Sequence, residues 1–171
     1  MSTFYAADIT YGRHTTGRIF AHRGTVRVGN YCTIGNGVQA IILEDHRNNW
    51  ISTYPFERRL VGLDTECPTV DHNDTVTIEN DVCIGHNVVL LHDTTIRNGA
   101  IVRSNSVVCG EVNSYTIVMG NPARVVGLRF PHVIIEKLLS IAWWNWDDET
   151  IDQSIPLLCS SDVQAFINKA I

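Results

Sequence analysis

The spacing that most restricts this chain is six. Ile78, Ile84, Leu90, Ile96, Val102 and Val108 recur every six residues, and Val76, Val82, Val88, Thr94, Ala100 and Ser106 stand two residues before each of them. The second set is entirely small or β-branched. The same pattern occurs earlier as Val28, Ile34 and Ala40, preceded by Val26, Cys32 and Val38, with a glycine following the apolar residue at Gly29, Gly35 and Gly85. Such a period is neither the turn of an α-helix nor the alternation of a flat strand. It suits a chain that turns a corner every six residues, so that three short strands make one coil of a triangular prism of about eighteen residues per coil. The aliphatic residue points inward near the corner and the small one fills the remaining space. Glycine and asparagine suit the corner, where φ can be positive.

This pattern predicts a mainly β fold: a left-handed parallel β-helix of hexapeptide repeats, about five coils tall by the repeat count, whose hand opposes the usual crossover rule. Between about residues 47 and 74 the period is lost. That stretch carries Trp50, Tyr54, Phe56, Pro55, Pro68 and the pair Arg58–Arg59, and reads as a long loop insertion of the kind that walls a site. After Val125 helical signals begin. Pro131 suits a first helical turn, Val133, Ile134, Leu138 and Ile141 fall at helical spacing, and Asp147 and Ser160 are candidate caps for helices near 148–154 and 161–170. The expected division is a β-helix domain over 1–127 and a C-terminal helical extension over 128–171, with Trp143, Trp144, Trp146, Leu157 and Leu158 as a packing seam.

Composition limits the function. With 13 basic and 18 acidic residues, the formal charge of -5 argues against sequence-independent nucleic-acid binding, which needs a basic footprint. No apolar run is long enough to span a membrane, the first residues do not read as a signal peptide, and the five cysteines have no close spacing. A reducing cytoplasm is therefore the expected setting. A short prism leaves flat sides and ends uncovered, which favours cyclic self-association. A homotrimer is expected, with ligand clefts between its members.

Of seven histidines, His46 stands out, six residues after Ala40 where the coil breaks into the insertion. A neutral imidazole there suits a general base near neutral pH. The string DHRNNWISTYPF around it resembles the histidine-bearing segment of the hexapeptide xenobiotic acetyltransferases, the group that includes chloramphenicol and streptogramin acetyltransferases. NDVCIGHNVVLLHDTTIRNGAIVRSNSVV is similar to that family's repeat block, YTIVMGNPARVVGLRF to its coenzyme A segment, and the tail around AWWNW to its helical end, so the likeness runs from about Val26 to Phe166.

The resemblance implies acetyl-CoA as acyl donor, no metal, and His46 as the base that deprotonates an acceptor hydroxyl or amine for direct attack on the thioester. Tyr54 and Phe56 would line the acceptor cleft, and Glu44 or Asp45 would orient the imidazole. The stretch Gly85–His86 is the implied oxyanion donor, and Ser104 and Asn105 match the pantetheine-binding position. Gly120, Asn121, Pro122 and Ala123 form a small-residue turn that lets the coenzyme approach the backbone. Arg124 and Arg129 are candidate phosphate ligands. The family often has Trp where Cys83 stands. Sugars, sugar nucleotides and antibiotics all remain open as acceptors. Two rivals are a non-catalytic scaffold and a metalloenzyme like the γ-class carbonic anhydrases. The period weakens the latter, because His86 and His92 fall on neighbouring faces and His86 stacks on Ser104 instead.

Overall fold

The computed structural model describes residues 7–42, 51, 52, 54 and 75–170. Its strands are β1 (Asp8–Tyr11), β2 (Ile19–Ala21), β3 (Thr25–Val28), β4 (Thr33–Ile34), β5 (Val38–Ile41), β6 (Thr75–Ile78), β7 (Cys83–Ile84), β8 (Val89–Leu91), β9 (Thr95–Ile96), β10 (Ile101–Val102), β11 (Val107–Val108), β12 (Glu111–Val112), β13 (Thr116–Gly120) and β14 (Ala123–Leu128). They form three sheets, ordered β1-β3-β6-β9-β12, β14-β13-β10-β7-β4 and β11-β8-β5-β2. These are faces A, B and C of a prism. Along each face the parallel strands come from successive coils, and every pairing but β13 with β14 is parallel. Five strands on face A give five coils, as the hexads require.

The inward set is the one the spacing picks out. Val76, Val82, Val88, Ile78, Ile84, Leu90, Ile96, Ala100 and Val102 are at most 2% exposed and join one continuous core. Two polar residues share it because each finds a backbone partner. Thr94 Oγ1 donates to the Val108 carbonyl at 3.2 Å, and Ser106 Oγ donates to that of Arg103 at 2.7 Å. Corners turn through left-handed backbone: Tyr31, Asp81, Gly99 and Tyr115 lie at φ 55 to 71° along the A–B border, and Gly37, Asn87 and Asn105 at 55 to 76° along the B–C border. Asparagine satisfies the corner amides of the A–B border. Asn30 N–H donates to Asn80 Oδ1 at 2.8 Å, and Asn80 N–H to Asn98 Oδ1 at 3.0 Å.

At the C-terminal end β13 turns through Gly120–Ala123, with a cis Asn121–Pro122 bond, into the antiparallel strand β14. Three helices follow: α1 (His132–Ile141), α2 (Asp148–Leu158) and α3 (Val163–Ala170). Pro131 is the N-cap of α1. The tryptophans form the expected seam: Trp144 is buried with Tyr115, Ile135, Leu138, Phe166 and Ile167, and Trp143, Trp146, Leu157 and Leu158 pack around them. This second core lies along the A–B border, where Tyr31 meets Trp143 and Arg13 donates to the Trp144 and Trp146 carbonyls.

Asp147 caps α2 as expected, accepting from Thr150 N–H at 2.8 Å. The cap of α3 is Asp162 rather than Ser160. Asp162 Oδ1 accepts from Ala165 N–H at 2.9 Å, while Ser160 Oγ accepts from Asp162 N–H. The Thr150 amide and hydroxyl hold the Asp147 carboxyl below its ordinary pKa. A depressed folded-state pKa stabilises above the unfolded value and is lost as pH falls through the folded one. Asp147→Ala should therefore lower the melting temperature most at neutral pH, with the gap from wild type closing below the carboxylate range. A gap independent of pH would show that the cap's charge contributes nothing.

Candidate active site

Of the residues implied for the coenzyme, Gly85, Ser104, Asn105 and Gly120 lie along the B–C border, whereas Arg129 does not. Parallel register places Ile34, Ile84, Val102 and Val118 in one column, so the residues just beyond them stack as well. Gly35, Gly85 and Arg103 lie one above another, each amide donating to the carbonyl one coil away: Gly35 to Ile84, Gly85 to Val102 and Arg103 to Val118, at 2.8 to 2.9 Å. Glycine is required at position 85, since a Cβ there would stand 2.5 Å from the Ser104 nitrogen.

The next residue of each corner forms a second ladder, in which a backbone amide donates to the side chain above it. Asn36 N–H donates to His86 Nδ1 at 2.9 Å, and His86 N–H to Ser104 Oγ at 3.1 Å. The register then puts Gly120 above Ser104, and glycine offers no side-chain acceptor. The ladder stops there, and no described residue accepts from Ser104 N–H. Asn105 N–H, beside it, is taken by the His86 carbonyl at 2.9 Å. Among the described residues the edge thus presents an unused amide at Ser104, with His86 one coil below and Gly120 above. The stacking of His86 on Ser104 follows the expected vertical period.

Two of the implied groups already have partners within the chain. The Gly85–His86 stretch is expected to lend a backbone N–H to an oxyanion, yet both amides are already bonded within the solenoid. Arg129, expected to bind phosphate, turns inward instead. Its Nη1 lies 2.9 Å from Asp81 Oδ2 and 2.7 Å from the Gly99 carbonyl, and its guanidinium lies over the Tyr115 and Phe130 rings. Burial pushes the Asp81 carboxyl up in pKa, with Arg129 working against that shift. This ion pair ties the start of the helical segment to the prism.

Arg124 remains exposed, its guanidinium bonding its neighbour's carbonyl at 2.9 Å. It pairs across the hairpin with Met119, itself in register with Arg103. Arg103 is also exposed, so two cations lie on one outward row at the hairpin end of the edge. Sequence reasoning missed Arg103, whose only signal is its place one residue before Ser104. Asn121 and Pro122 are exposed at the hairpin turn, and Ala123 packs against the core.

The insertion leaves from the opposite border of face C. Strand β5 ends at Ile41, and the chain resumes in face A at Thr75. His46, Glu44, Asp45 and Phe56 lie outside the described residues. Tyr54 is 52% exposed, and its amide donates to Ser52 Oγ. Cys83 is exposed on face B between Thr33 and Ile101. His86 and His92 sit at opposite borders of face C. Among the described residues no group of three or more His, Cys, Asp or Glu could hold a metal ion, and no helix is long and apolar enough to cross a membrane.

The family profile described as bacterial transferase hexapeptide (six repeats) matches residues 75–110. A probable macrolide acetyltransferase from Lysinibacillus sphaericus is 38% identical over 148 residues, covering 83% of this chain and 82% of that protein. The chain belongs to the hexapeptide-repeat xenobiotic acetyltransferases. A chloramphenicol acetyltransferase of Agrobacterium fabrum is 35% identical over 81% of this chain and 68% of its own length. A hexapeptide-repeat acetyltransferase of Vibrio cholerae, solved with acetyl coenzyme A, matches the fold with a TM-score of 0.50 at 24% identity, over 74% of this chain and 66% of that one. This chain is accordingly an acetyltransferase on a left-handed parallel β-helix.

Proposed function

We propose that the protein moves the acetyl group of acetyl-CoA onto a hydroxyl or amine of a small acceptor, with the site closed between neighbouring copies of a homotrimer. The observation that carries this reading is the unpaired Ser104 amide on a glycine-lined edge. A pantetheine arm offers amide carbonyls to such a donor, and Gly120, whose Cβ would meet only the Pro122 carbonyl oxygen at 3.5 Å, lets it lie against the backbone. Arg124 and Arg103 then stand where the phosphates of the nucleotide end would need charge-assisted donors.

His46 is the general base. As the acceptor oxygen or nitrogen attacks the carbonyl carbon, its proton passes to the imidazole and the carbonyl electron pair moves to oxygen. Collapse re-forms the carbonyl and breaks the C–S bond. The departing thiolate takes the proton back, giving free CoA and the acetylated acceptor. His46 comes between the end of β5 at the C–A border and the insertion, and the proposed donor edge is the B–C border, so a second prism laid against this one would bring the two together. Tyr54 and Phe56 wall the acceptor side. The relatives named for macrolide, chloramphenicol and virginiamycin acetylation support a drug-like acceptor beside the sugars.

The test is release of CoA thiol from acetyl-CoA against macrolides, chloramphenicol, streptogramin, aminosugars and sugar nucleotides. Acceptor-dependent release with at least one of them is expected. Failure of every acceptor to raise the rate above hydrolysis, with no acetyl-CoA uptake by calorimetry, would overturn the reading.

A further inference from the structure

We propose that the His86 side chain supplies the hydrogen bond that holds the thioester oxygen during transfer, in place of the backbone around it. The inference rests on the acetyl-transfer reading above. Both amides of the Gly85–His86 stretch are spent, on the Val102 carbonyl at 2.8 Å and on Ser104 Oγ at 3.1 Å. The imidazole is not. Its Nδ1 accepts from the Asn36 backbone N–H at 2.9 Å, and an amide N–H can only donate. Nδ1 therefore carries no proton, and the neutral ring holds its hydrogen on Nε2.

No described residue partners Nε2, and the side chain is exposed on the donor edge. It lies one coil, about 4.8 Å, from the unused Ser104 amide. The edge then carries two free donors in series, one for a pantetheine amide and one for the reacting carbonyl.

The ladder itself does not need a histidine. One coil up, a serine hydroxyl fills the same acceptor role, and along the A–B border asparagine does so. What the ring adds is a second nitrogen, held outward by the bond at the first. As the nucleophile adds, negative charge gathers on the carbonyl oxygen. Nε2–H donates to it and keeps its proton, so the proton balance stays with His46 and the leaving thiolate. A donor fixed before charge develops stabilises the transition state more than the ground state.

His86→Ser separates the two roles, since serine keeps the ladder acceptor as Ser104 does and removes the outward donor. With an acceptor that wild type turns over, kcat should fall about a hundredfold. KM for acetyl-CoA should stay within about twofold, because binding without transition-state contact is what KM reports. An unchanged melting temperature and an unchanged dissociation constant for CoA by calorimetry would show the edge intact. A kcat within twofold of wild type overturns the proposal, as does a fall explained wholly by weaker CoA binding. A wild-type protein that binds no acetyl-CoA and acetylates nothing would instead sink the reading on which the proposal rests.

Discussion

His46→Ala is expected to lower kcat by about 10² to 10⁴, the range for loss of a positioned general base, while CoA affinity and melting temperature stay at wild-type values. The reason lies in the chemistry of the acceptor. A neutral hydroxyl attacks a thioester slowly until its proton is taken, and His46 is the imidazole proposed to take it. The ladder of the proposed donor edge is made by Asn36, His86 and Ser104, so removing the His46 imidazole is expected to leave its bonds in place. In wild type, kcat should fall as acid protonates the base, and in the variant that limb should vanish. A variant of near wild-type rate, or one that keeps the acid limb, would place the base elsewhere.

Gly85→Ala should combine the largest structural effect with a loss of donor binding. The added Cβ would lie 2.5 Å from the Ser104 nitrogen, 2.6 Å from Ser104 Oγ and 2.9 Å from Ser104 Cα. Two of those atoms belong to the backbone of the next coil, which cannot swing aside as a side chain can. Overpacking of this kind costs about 1–3 kcal/mol, and the same shift displaces the amide proposed to hold pantetheine. A lower melting temperature and a raised dissociation constant for CoA are expected together. Gly127→Ala is the control. No atom lies within 4 Å of a Cβ at that position, and the change should stay within about 0.5 kcal/mol. Equal melting of wild type and Gly85→Ala would contradict the coil spacing described here.

The prism was legible because its cause is local. Six-residue spacing makes Ile78, Ile84, Leu90 and Ile96 inward neighbours whatever else the chain does, and the period of three hexads places His86 beneath Ser104 from spacing alone. The proposed donor edge was only half legible. The column through Ile84 and Val102 shortens its step between the last coils, where Ile101 pairs with Ile117 rather than with a residue eighteen further on. That shift sets Gly120 above Ser104 and leaves the amide unused. Arg129 looked free in sequence because its carboxylate partner, Asp81, is 48 residues away. The occupied amides of Gly85 and His86 were hidden for a similar reason, as each partner comes from the following coil. The α3 cap was displaced by two residues because Ser160 and Asp162 are both capable, and the carboxylate took the amide of Ala165.

The most direct measurement is a crystal structure of the protein with CoA. The account predicts the pantetheine arm along Gly85, Ser104 and Gly120, an amide carbonyl within hydrogen-bond reach of Ser104 N–H, and the sulfur facing His46 from a neighbouring copy. CoA lodged off the B–C border, or His46 turned away from the sulfur in every copy, would contradict it.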